Sequence, residues 1–116
     1  MVQITMQFPD QLAEQVLPFR RWLPAVLELG MARFQTPAAQ TSAEVIEFLL
    51  GNPSAEDVLA YHASERSQGR LQRLLALNSA GLLGEAEQAE LDEVERLEHI
   101  LIMLKVQVAS QTKQAS

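Results

Sequence analysis

The stretch from Gly84 to Ser110 constrains this chain more than any other. It reads GEAEQAELDEVERLEHILIMLKVQVAS, with no proline and no glycine after its first residue. Leu91, Val94, Leu97, Leu101, Leu104 and Val108 fall at the spacing of one helix face. Glu85 and Glu87 stand in the first turn, where negative charge suits the positive end of the helix dipole. The first half is acidic: seven carboxylates from Glu85 to Glu98 face Arg96 alone. The second half, Ile100, Leu101, Ile102, Met103, Leu104, Val106 and Val108, is apolar nearly all the way round. Such a helix needs cover on every side, and a short chain can draw part of that cover from a second molecule. These seven residues are therefore the expected dimer or partner interface.

The other end carries a different pattern. Val2, Ile4, Met6 and Phe8 alternate with Gln3, Thr5 and Gln7. Period two over seven residues predicts a half-buried strand. Nothing later in the chain alternates in the same way, so the strand needs a partner for its backbone groups. The simplest partner is the same strand of a second copy, giving a two-stranded ribbon. The other reading is a loosely docked arm.

Between these ends the chain reads as short helices. Pro9-Asp10 opens one, with Leu12, Ala13, Val16 and Leu17 inward, and Pro18 kinks or ends it. Pro24 suits the first turn of a second helix, which Gly30 weakens or closes. Gln35 to Gln40 reads as a loop, and Thr41 or Ser42 as the cap of a third helix. Ser54-x-x-Asp57 and Ser64 mark two further helix starts. Gly81 is placed to end the helix before it in a left-handed conformation, with Leu82 folding back over the last turn. The short connection to Gly84 then makes residues 65–79 and 85–110 an antiparallel hairpin.

The expected fold is mainly α: a short N-terminal strand, then a helical bundle ending in a long αα-hairpin. The chain of 116 residues reads as one domain over 1–116. Residues 1–35 hold the strand and two short helices as a dimerisation ribbon, 41–110 the helical part, and 111–116 a frayed tail.

Composition removes several functions. The absence of cysteine excludes disulfides, thiol catalysis and cysteine-bound zinc. The serines Ser42, Ser54, Ser64 and Ser79 sit where helices are capped, and neither a Gly-x-Ser-x-Gly turn nor a phosphate-cradling glycine loop occurs. Glu95 and His99 share a helix face but have no matching second pair, so no metal site is expected. No catalytic residue and no cofactor is expected, and the chain is not expected to be an enzyme. No apolar run reaches membrane-spanning length and no leader is evident, so no membrane partner is expected and a cytoplasmic location is the default.

Nucleic acid leaves two readings open. A two-stranded ribbon fits the major groove, where Gln reads adenine and Thr tolerates several bases. Gln3, Thr5 and Gln7 would then face DNA, with Arg20 and Arg21 on phosphates. Against this stands an ordinary solvated face, favoured by the net charge of −6 and by few basic groups. Arg66, Arg70 and Arg73 form a stripe that fits pairing with the acidic helix better than it fits an anion.

The residues Val2-Gln3-Ile4-Thr5-Met6-Gln7-Phe8-Pro9-Asp10-Gln11-Leu12-Ala13 resemble the start of ribbon-helix-helix proteins. The segments Leu74-Leu75-Ala76-Leu77-Asn78, Glu87-Gln88-Ala89-Glu90-Leu91-Asp92-Glu93 and Leu97-Glu98-His99 are similar to small proteins common in cyanobacteria. Some of these look like antitoxins of toxin–antitoxin pairs. The resemblance implies a dimeric regulator that binds DNA through its ribbon and a toxin-like nuclease through its C-terminal helices. The alternative is a helical adaptor or assembly module that binds no DNA.

Overall fold

The computed structural model describes residues 2–115, with side chains to Gln111. Regular structure among these residues is helical throughout. The order is α1 (Asp10–Val16), a 3₁₀ segment (Leu17–Trp22), α2 (Leu23–Met31), α3 (Ala38–Leu50), α4 (Ala55–Ala60), α5 (Glu65–Ser79) and α6 (Glu85–Ala115). None of these helices is long and apolar enough to cross a membrane.

The expected N-terminal strand is absent among the described residues, and the ribbon-helix-helix-like fold with it. Val2 to Pro9 carries no regular structure, and Val2, Ile4 and Met6 are 88, 79 and 57% exposed. Alternation shows only that two faces differ. A strand exists through hydrogen bonds to a neighbour, and none of the described segments supplies one. The first helix also departs from expectation. None of its residues is buried, and Leu12 and Leu17 stand largely in solvent. Pro18 explains this. The helix gives way to the 3₁₀ segment, where Phe19 leaves helical geometry at φ −114° and ψ 20°. The chain turns before α1 can lie along the bundle.

α6 is the spine. α2, α3, α4 and α5 all pack on it, whereas α1 packs mainly on the 3₁₀ segment. The core joins Trp22, Ala25 and Leu29 to Val45 and Leu49, then to Val58, and closes on Leu97, Ile100 and Val108. Val45 and Leu49 have no exposed surface at all. The Trp22 indole donates to the Pro53 carbonyl at 3.0 Å, satisfying its one polar atom within the core.

Local chemistry sets most helix ends. Ser54 and Asp57 form a capping box: each side chain accepts the other's backbone N–H, at 3.1 and 3.3 Å. Ser64 accepts the Ser67 N–H at 3.3 Å. Gly81 adopts φ +71°, so its N–H reaches Asn78 and that of Leu82 reaches Leu77. Leu82 itself stays 68% exposed rather than folding back over α5. α3 starts at Ala38, ahead of the expected Thr41 or Ser42, because the Thr36 hydroxyl accepts the Ala38 N–H at 3.1 Å. Ser42 is consequently buried inside α3. α6 continues past Ser110 to Ala115, through most of the expected tail, and Ser116 lies outside the described residues.

Candidate interaction surface

The second half of α6 divides its apolar residues between two destinations. Ile100 and Val108 are buried in the core, and Leu101 and Leu104 pack half-buried against it. Ile102, Met103 and Val106 face away, 57, 52 and 55% exposed. Ile102 and Met103 lie four and three residues before Val106, which puts these three on a single ridge. Exposed Ala109 and Ser110 continue the ridge by one turn, and exposed His99, Glu95 and Asp92 continue it the other way. The seven residues expected as an interface are thus four core-facing positions and three on the ridge. A helix apolar all round has been covered on one side only.

A groove flanks each side of the ridge. One, of about 610 Å³, lies between the end of α6 and the start of α2; Trp22, Pro24, Ala25, Met103, Val106 and Gln107 help to line it. The other, of about 560 Å³, lies towards the start of α5; Tyr61, His62, Leu71, Leu101, Ile102 and Lys105 help to line it. On α2, Leu27 and Met31 are also uncovered, 49 and 76% exposed. The sequence places Leu27 and Met31 with Val26 on the apolar side of this helix; Val26 packs against the core, but Leu27 and Met31 stand in solvent, because spacing alone does not tell an inward face from an outward one.

Polar contacts hold the scaffold behind the ridge. The Glu93 carboxylate accepts the Gln35 and Thr36 N–H groups at 2.9–3.0 Å and the Thr36 hydroxyl at 2.7 Å. Burial pushes this carboxyl up, but those donors, with Arg96 nearby, outweigh burial and hold it below the usual carboxylate range. Arg70 grips the buried Glu90 through two nitrogens, one of them Nη2 at 2.8 Å. Of the arginine stripe on α5, this is the ion pair that forms among the described residues. Lys105 donates to the Tyr61 carbonyl, which ties the lysine of the apolar half of α6 to the linker after α4. Tyr61 in turn stacks on Phe48 at 4.4 Å. Burial first, and Glu44 second, push its phenol up.

The residues expected at DNA lie on two stretches, the segment before α1 and the 3₁₀ segment. Gln3, Thr5 and Gln7 are exposed on a segment without regular structure. The Arg20 guanidinium donates to its own Leu17 carbonyl at 3.5 Å, and that of Arg21 lies 4.7 Å over the Trp22 ring. Serine hydroxyls at Ser54 and Ser64 are engaged by backbone N–H groups. Among the described residues no group of three His, Asp or Glu side chains lies close enough to hold a metal ion.

No family model matches the chain, and comparison with curated proteins and with solved structures gives no match.

Proposed function

We propose that the protein is a non-enzymatic helical interaction module that takes a protein partner on the ridge Ile102–Met103–Val106 and the adjoining α2 groove. One observation carries the reading: three large apolar side chains, each more than half exposed, stand together on the best-packed helix of the fold. Isolated surface hydrophobics are ordinary, whereas a contiguous apolar patch with a flanking groove marks an interaction site. A helix packed by α2, α3, α4 and α5 presents the patch already folded, which lowers the ordering cost of association. The regulator reading shares this partner-binding half, but its DNA contact needs the strand that the fold lacks. The adaptor reading needs no strand.

The test is a photo-cross-linking residue at Met103, with one at exposed Glu56 as control, in the cell that makes the protein. A discrete adduct at Met103 and none at Glu56 is expected. Silence at Met103, or equal labelling at both, would remove the reading.

A further inference from the structure

We infer that the partner on this ridge is a second copy of the chain, packed antiparallel about a two-fold axis through Val106. The inference rests on the interaction-module reading and names its occupant.

The first argument is area. A compact monomer of 12.9 kDa exposes about 6,300 Å². This chain exposes 8571 Å², about a third more. A specific dimer needs only about 800 Å² from each copy. The excess, about 2,300 Å² and shared between the ridge and the uncovered residues before Leu17, exceeds that figure.

The second argument is the order of residues along the ridge. Reading outward from Val106, the large Ile102 and Met103 lie on one side and the small Ala109 and Ser110 on the other. A two-fold axis at Val106 sets Met103 against the partner's Ala109, and Ile102 against the partner's Ser110. Large side chains then meet small ones, and both helices approach closely. The contact is self-complementary, as a two-fold interface must be.

The third argument is charge. Asp92 and Glu95 occupy the acidic end of the same ridge. Parallel packing would set each against its own copy, a like-charge repulsion. In the antiparallel arrangement, Glu95 lies about 16 Å before the axis, at 1.5 Å per residue. The two acidic stretches therefore lie on opposite sides of the axis, with the two copies of Glu95 about 33 Å apart along the helices, and do not face each other. The acidic half thus selects the direction of packing while the apolar half supplies the contact.

The natural chain has no cysteine, which makes the test clean. Val106→Cys should oxidise to a covalent dimer at micromolar concentration, and Glu95→Cys should not. Cross-linking at both positions would indicate parallel packing and overturn the inference, as would cross-linking at neither. Wild-type protein should sediment at twice 12.9 kDa. Ile102→Glu with Met103→Glu should sediment as a monomer with an unchanged helical spectrum, and should melt below wild type because the stabilisation by association is lost. A wild-type monomer at micromolar concentration overturns the second copy. If the photo-adduct at Met103 then contains a different protein, the module reading stands without it; if no adduct forms, both fall.

Discussion

Glu93 shows how one side chain can join distant parts of a chain. It lies on α6, yet it holds the backbone at Gln35 and Thr36, nearly sixty residues earlier. Thr36 passes the restraint on to the first turn of α3 through Ala38. The folded protein binds the ionised carboxyl, so its pKa is lower folded than unfolded. The stability it contributes is complete above the unfolded value of about 4.3 and is lost as pH falls through the folded value. Urea titrations of wild type and Glu93→Gln between neutral and acid pH should converge as the medium acidifies. At neutral pH the variant should be less stable by about 1–3 kcal/mol, the scale of hydrogen bonds to a charged acceptor. A constant gap across the whole pH range would show that the charge is not what matters.

Glycines give the clearest contrast between elements. Gly69 lies inside α5, and a Cβ there would meet nothing within 4 Å. Gly69→Ala should therefore stabilise the protein by about 0.5–1 kcal/mol, because helix propensity is the main term left. Gly81 also has open space, but its φ of +71° is costly for any residue with a Cβ. Gly81→Ala should cost about 1–2 kcal/mol and loosen the turn between α5 and α6. Thermal melts of the two variants should move in opposite directions. Features of this kind are legible in sequence because their causes lie within a few residues: the Ser54 and Ser64 caps and the Gly81 turn depend on neighbours alone. The start of α3 was not, because Glu93 reaches it from another helix. The strand misread has the same origin. Val2 to Phe8 has a strand's alternation, but pairing is decided by what lies beside it in space. For α6, the sequence showed that its second half wanted cover all round. Which side the bundle would leave open depended on where α2 and α5 pack.

At the scale of the molecule the shape is open. The radius of gyration is 16.4 Å, against about 13 Å for a compact chain of this length. The extents of 50 × 36 × 27 Å follow the length of α6 rather than a sphere. Two regions account for this, the uncovered ridge and the segment before Leu17. They are uncovered for different reasons. The ridge belongs to the helix on which the core closes, whereas α1 buries none of its residues and leans mainly on the 3₁₀ segment. The interruption at Pro18 therefore divides the polypeptide into a body and a handle. Limited digestion of native protein should nibble the handle away first, and the stump should melt almost as the intact chain does. Fusion of a bulky tag in front of Asp10 should be tolerated for the same reason, whereas one grafted behind Ala115 should crowd the mate proposed for the ridge and weaken its seating.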